Sequence, residues 1–286
     1  MQTEEEIITS MISSIKEIKE IIKSEIIEID HKGNSKKQIE KDPIDEIMRT
    51  TPLQTSRSYL DFYRKILDFL HRKLESGTSD EEFFFYMPLL RTLIEIYAYL
   101  LYFCFQDKEK QTTLAVVNTL NTVAKLDTDN ISPEIKTEYD KTYSGFKKFF
   151  ETKNLNIPTD PAHATKAWLK TSGYGYPSVE QMLKKEWIKS SSPQTNAANK
   201  NASENSYKIY RYLSNYVHGN ILSKEHHGNE KMWVISETIL LSMIIAELVS
   251  VKILNNSKRK EIGICLKKVS KNSKVFRYMW ANRDSK

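Results

Sequence analysis

Hydrophobic residues recur at steps of three and four along most of the chain, which is the spacing of one face of an α-helix. In residues 1–30 the pattern is regular enough to form a heptad seam, although Glu25 stands where the next core residue should fall. This predicts an amphipathic helix that either pairs with a second copy or a partner protein, or packs on its own chain. The seam consists of Ile8, Met11, Ile15, Ile18 and Ile22.

The remaining pattern predicts a series of helices after a charged linker at residues 31–54. Pro88 should kink or split one of these helices, because proline removes a backbone donor. Another begins favourably at Ser132-Pro133. The predicted helices cover approximately residues 55–74, 79–105, 112–126, 133–151, 162–171, 178–188, 207–218 and 231–252.

Composition supports the same fold class. The 286 residues include only 8 Gly and 8 Pro, so the chain lacks the turn density that a β-sandwich or barrel needs. We therefore expect an all-α protein, with a helical core at residues 55–255 and a helical C-terminal tail at 256–286. A hydrophobic share of 40% is sufficient for a substantial core.

Charge favours polyanionic partners, since the formal net charge is +6. The strongest signal for nucleic-acid binding lies in the tail 256–286, where basic residues alternate with Phe276, Tyr278 and Trp280, which can stack on bases. The alternative is a solvated terminal helix with a few core aromatics. The candidate RNA-binding residues are Lys258, Arg259, Lys260, Lys267, Lys268, Lys274 and Arg277.

Two cysteines lie far apart in a chain that starts without a secretory signal, which predicts free thiols and a cytoplasmic protein. His226 and His227 could join His218 at a metal, but no carboxylate pattern supports such a site, so neither a metal nor another cofactor is predicted. The apolar segment 231–252 contains Glu237 and Glu247. These favour a buried helix over membrane association.

The candidate chemistry lies in the helix that Gly219 ends. Tyr207, Arg211, Ser214 and His218 follow steps of four, three and four, so they form one polar stripe opposite an apolar face. An arginine can stabilise phosphate charge while a histidine moves a proton. The alternative is an ordinary helix in which Arg211 pairs with a carboxylate and His218 caps the C-terminus.

Arg211-x6-His218 resembles the Arg-x(4–6)-His signature of the HEPN superfamily, all-helical domains found in toxin and phage-defence ribonucleases. The segment Arg91-Thr-Leu-Ile-Glu95 is similar to an early helix of a bacterial helical family of unknown function, which also has a later Ser-x3-His helix. The resemblance covers roughly residues 55–255. It implies a HEPN-like bundle, to which the N-terminal helix and the basic tail are additions.

The resemblance also implies a metal-independent RNA endonuclease that works as a homodimer, with Arg211 and His218 catalytic and Ser214 and Asn215 beside them. Arg91 and Glu95 would support the site by reaching across to the Arg211 helix; the alternative is a simple ion pair between them within their own helix. Tyr212 stands where many active members have a small polar residue. This departure favours the alternative, a non-catalytic helical module that binds a protein or nucleic acid.

Overall fold

The computed structural model describes residues 4–34, 43–76, 87–123, 132–152, 176–184 and 206–214, together with residue 245. Within these residues the regular structure is entirely α-helical, without a strand, which confirms the all-α class. The last helical stretch, residues 206–214, is named α7 here. The preceding helices are α1 (Glu4–Asn34), α2 (Pro43–Glu75), α3 (Met87–Cys104), α4 (Lys108–Val123), α5 (Pro133–Thr152) and α6 (Val179–Lys184).

The heptad seam of α1 is buried within the chain. Its described isoleucines are almost fully covered, and Glu25 is only 2% exposed in the same seam. This burial corresponds to the second of the two predicted alternatives, in which the helix packs on its own chain. The buried seam residues are Ile15, Ile18 and Ile22, and Ile29, beyond the predicted seam, is buried as well.

Helix α2 begins well before residue 55, so residues 43–54 are helical rather than part of the predicted linker. Pro43 is the first residue of α2, where the missing N–H would have had no helical partner in any case. Asp45 and Glu46 lie in the first turn, where negative charge interacts favourably with the helix dipole. The linker prediction overlooked these starting signals.

The later described helices follow the predicted segments more closely. Pro88 lies in the first turn of α3, where proline is tolerated, and residues 77–86 are outside the described part. Helix α5 covers the predicted segment 133–151 and one further residue. At the start of α6, Ser178 and Gln181 cap each other reciprocally, with hydrogen bonds of 3.0 and 3.2 Å.

Two other predicted helices lie largely or wholly beyond the described residues. The segment 162–171 is not described, and of 231–252 only Ile245 is described. Ile245 is helical and fully buried, as expected for a residue of a core helix.

The chain divides into two compact units, and each unit contains part of α1 and part of α2. The first unit contains Met1–Glu28, Ser58–Phe105 and Ser178–Lys286. In it α1 and α2 run antiparallel, since Lys19 forms an ion pair with Asp68 while the earlier Lys16 lies near the later His71. Helix α3 contacts α6. The core of the first unit includes Leu60, Tyr63, Leu67, Leu93 and Tyr97.

The second unit contains Ile29–Arg57 and Gln106–Pro177. Here Arg57 pairs with Asp30, and α4 contacts α5. The predicted domain boundary at residue 255 lies outside the described residues. The core of the second unit consists of Val116, Val117, Phe146, Phe149 and Phe150, with Ile44, Ile47 and Met48 packed against it.

Candidate functional site

The candidate site is built on α7 in the first unit. Ile209 and Leu213 are 1% and 0% exposed, which confirms the predicted apolar face of this helix. Burial of two such side chains provides about 1.5–3 kcal/mol each, so the apolar face is the main attachment of α7. Ser206, at the beginning of α7, is also buried.

The polar stripe is accessible at its centre. Arg211 is exposed, whereas Tyr207 and Ser214 are half-buried. Among the described residues no carboxylate forms an ion pair with Arg211, so this part of the ordinary-helix alternative is not found there. The predicted His218 and Asn215 lie outside the described residues.

Ser214 uses its proton within its own helix. The hydroxyl donates a 2.7 Å hydrogen bond to the carbonyl oxygen of Tyr210, one turn earlier. The Ser214 oxygen retains acceptor capacity, because a hydroxyl has two lone pairs and one proton. In this arrangement Ser214 can accept a hydrogen bond from a ligand but does not offer one.

Arg91 and Glu95 on α3 realise both predicted alternatives, since they pair with each other and also reach α7. The Nη2 atom of Arg91 lies 3.2 Å from Oε1 of Glu95. The same nitrogen donates to the Tyr210 hydroxyl at 3.0 Å, and that hydroxyl donates to Oε1 of Glu95 at 3.3 Å. These three residues are called the Arg91–Glu95–Tyr210 cluster below.

The contact with Tyr210 matters more than the ion pair within α3. Side chains of Arg91 and Glu95 are 21% and 32% exposed, and an i,i+4 pair on a helix surface contributes only about 0.3–0.5 kcal/mol. A hydrogen bond to a charged group contributes about 1.5–3 kcal/mol. The guanidinium carbon also lies 5.1 Å from the centre of the Tyr210 ring, in cation–π geometry. The cluster thus joins α7 to α3 by directional contacts.

The contacts of the cluster favour the charged form of Arg91. The hydrogen bond that Arg91 donates to the Tyr210 hydroxyl raises the pKa of Arg91, and the Glu95 carboxylate acts in the same direction, so Arg91 stays cationic. Burial raises the pKa of the neighbouring Tyr99, with added contributions from Glu95 and Tyr210. Tyr99 is therefore a neutral phenol, and its ring stacks on Tyr59 with centroids 5.9 Å apart.

Tyr210 is the site residue that sequence reasoning missed. On a helical wheel it falls at the margin of the apolar face, which does not distinguish it from a core aromatic. Its hydrogen-bond partner Arg91 precedes it by 119 positions, so local spacing contains no sign of the contact. One signal was available in the sequence, namely the prediction that Arg91 and Glu95 contact this helix. A tyrosine hydroxyl can accept a hydrogen bond from the arginine and donate one to the carboxylate.

Several other predicted features are outside the described residues, namely the whole basic tail 256–286, His226, His227 and Cys265. Cys104 is a buried thiol, as predicted. In the described part of the chain no three His, Cys, Asp or Glu side chains are grouped closely enough to hold a metal ion. Nor is any described helix long and apolar enough to cross a membrane.

Comparisons of the chain with models of protein families, with curated proteins and with solved structures found no match. Function is therefore inferred from the residues of α3 and α7 and from the motif resemblance.

Proposed function

We propose that this chain is a metal-independent RNA endonuclease of the HEPN type, acting in the cytoplasm as a toxin or phage-defence effector. The observation that carries the proposal is the exposed side chain of Arg211, without a carboxylate partner among the described residues, on a helix anchored to α3. A guanidinium that is exposed on a fixed helix can contact a substrate phosphate. The HEPN-like bundle is part of the same proposal.

The proposed reaction uses the 2′-hydroxyl of the substrate as nucleophile. His218 removes the proton of this hydroxyl, and the oxygen attacks the adjacent phosphorus. Arg211 stabilises the negative charge that develops on the phosphoryl oxygens. The bond from phosphorus to the 5′-oxygen then breaks, and the leaving oxygen takes up a proton from the protonated imidazole of His218 or from water. The products are a 2′,3′-cyclic phosphate and a 5′-hydroxyl end.

Neighbouring residues complete the proposed site. Ser214, whose proton is donated to the Tyr210 carbonyl, can accept a hydrogen bond from the substrate, and Asn215 would contact the RNA from the next position. Arg91, Glu95 and Tyr207 have supporting roles. The basic tail 256–286 would bind RNA phosphates, and two protomers would pair so that their Arg211 and His218 side chains lie together.

The test is cleavage of single-stranded RNA by the purified full-length chain, with product ends identified by mass spectrometry. We expect cyclic-phosphate ends in the presence of EDTA, and a loss of rate of about 10²-fold or more in Arg211→Ala and His218→Ala. Light scattering of the same preparations measures the molar mass and so shows whether the chain is a dimer. Intact RNA with the wild-type chain, or equal rates in all three proteins, would contradict the proposal.

Lys208→Ala is the matched control for Arg211→Ala. Lys208 is an exposed cation on α7, outside the polar stripe. Its removal changes the net charge by the same amount, so a general loss of attraction for RNA would appear in both variants. A specific role for Arg211 predicts that the Lys208→Ala rate stays close to wild type.

A non-catalytic binding module is the second candidate, and Tyr212 is the observation that favours it. This half-buried side chain follows Arg211 directly, at the position where the resemblance leads one to expect a small polar residue. The binding module predicts that wild type retains RNA without cutting it, and that Arg211→Ala weakens retention. The cleavage assay and a binding assay on the same proteins separate the two candidates.

A further inference from the structure

Tyr210 is adjacent in sequence to Arg211, and this adjacency links the Arg91–Glu95–Tyr210 cluster to the proposed phosphate-binding group. Consecutive helical side chains differ in direction by roughly 100°. When the Tyr210 phenol is fixed against α3, the direction in which Arg211 leaves the helix is also fixed. The apolar contacts of Ile209 and Leu213 hold α7 in place but are not directional.

Tyr210 is held by contacts of both its side chain and its backbone. Its hydroxyl lies between Arg91 and Glu95, at 3.0 and 3.3 Å, and its ring faces the Arg91 guanidinium. Its carbonyl oxygen accepts the hydrogen bond of the Ser214 hydroxyl at 2.7 Å. The phenol contacts orient the helix towards α3, and the Ser214 contact fixes the polar stripe relative to the Tyr210 backbone.

We propose that Tyr210 is a positioning residue for the transfer of the phosphoryl group, acting through Arg211 without touching RNA. This inference rests on the proposed nuclease function. The Tyr210 hydroxyl sets the rotation of α7 about its axis, so that the Arg211 guanidinium meets the phosphate when charge develops on it. The Arg91 and Glu95 side chains serve by holding that hydroxyl.

Tyr210→Phe isolates this role, because it removes the hydroxyl and retains the ring over Arg91. Misplacement of a catalytic group by about 1 Å can lower a rate about 10²-fold, so we expect kcat to fall about 10- to 100-fold. KM should remain within about twofold, because the bulk of RNA attraction comes from charges that the substitution leaves unchanged. A fluorophore–quencher-labelled single-stranded RNA gives both constants.

Tyr212→Phe is the matched control. It makes the same substitution two residues along α7, and the Tyr212 hydroxyl contributes none of the contacts in the cluster. We expect the loss of kcat in this variant to be smaller than the loss in Tyr210→Phe. Arg91→Met should also lower kcat, and the double variant Arg91→Met/Tyr210→Phe should lose less than the product of the two single losses, because both changes remove the Arg91–Tyr210 contact.

Thermal unfolding of each variant separates positioning from loss of structure. All rates are measured well below the unfolding midpoint, where the chains are folded. If Arg211→Ala is inactive but Tyr210→Phe keeps the wild-type kcat, or if the two single losses multiply in the double variant, the positioning role is overturned and the nuclease function stands. If the wild-type chain leaves this RNA intact, both proposals are overturned.

Discussion

At the residue scale, His71 is a buried titratable group in a charged environment. It is 5% exposed, and its Nε2 atom is buried with no hydrogen-bond partner among the described residues. Its Nδ1 atom lies 3.4 Å from Oε2 of Glu75. The other charged groups facing it are Asp68 on α2 and Lys16 and Lys19 on α1. Protonation of this imidazole would place a cation in a site that already contains two lysines.

Burial lowers the pKa of His71 from its ordinary value of 6.5, and Lys19 acts in the same direction. Below 6.5 the unfolded chain binds more protons at this position than the folded chain, so acid favours unfolding. The stabilising contribution is complete above 6.5 and is lost as the pH falls through the lowered folded-state pKa. We expect the free energy of unfolding to decline in this window, as measured by urea titration.

His71→Gln should show a weaker decline over the same pH range, because glutamine does not titrate. His31→Gln is the control. It is the same substitution, made at a histidine that is exposed on α1. Equal pH dependence of the wild type and His71→Gln would show that His71 does not govern the acid response.

At the scale of the helix, Gly145 lowers the stability of α5, although the surrounding packing leaves space for a larger residue. A Cβ atom at Gly145 would lie 3.7 Å from Cδ1 of Ile47, an ordinary van der Waals distance. Alanine is more favourable than glycine in a helix interior by about 0.5–1 kcal/mol. We expect Gly145→Ala to raise the free energy of unfolding by about this amount, as measured by urea titration.

Gly33→Ala provides the comparison. Gly33 is the penultimate residue of α1, and a Cβ atom there meets nothing within 4 Å. Because helix ends fray, the gain from alanine at Gly33 should be smaller than at Gly145. A loss of stability in Gly145→Ala would mean that α5 and Ile47 leave less space than this distance indicates.

Helices were predictable where their own sequence contains a starting signal and a regular apolar face. Ser132-Pro133 identified the start of α5 to the residue. The start of α2 was missed because polar residues around Pro43 resemble a linker as much as a first turn. Arg91 and Glu95 were predicted as a pair from spacing, whereas the contribution of Tyr210 depends on the packing of α7 against α3. Such packing has no local pattern in the sequence.

At the scale of the whole molecule, the division into two units was not visible in the sequence. Helices α1 and α2 each have residues in both units, so the ends of these helices do not mark the division. Net charge, in contrast, can be read directly from the sequence. The excess of +6 and the basic tail 256–286 predict that RNA affinity depends steeply on salt.

If the tail contacts RNA phosphates, Lys267→Ala/Lys268→Ala removes two contacts, and the slope of log K against log salt should become shallower by about 1.4, at about 0.7 per contact. Fluorescence anisotropy at several salt concentrations measures it. Lys147→Ala/Lys148→Ala is the control, since both lysines are exposed on α5 and each double variant lowers the net charge from +6 to +4. Equal slopes in the two variants would assign the salt dependence to total charge. A shallower slope only in the first variant would show that the tail itself neutralises RNA phosphates.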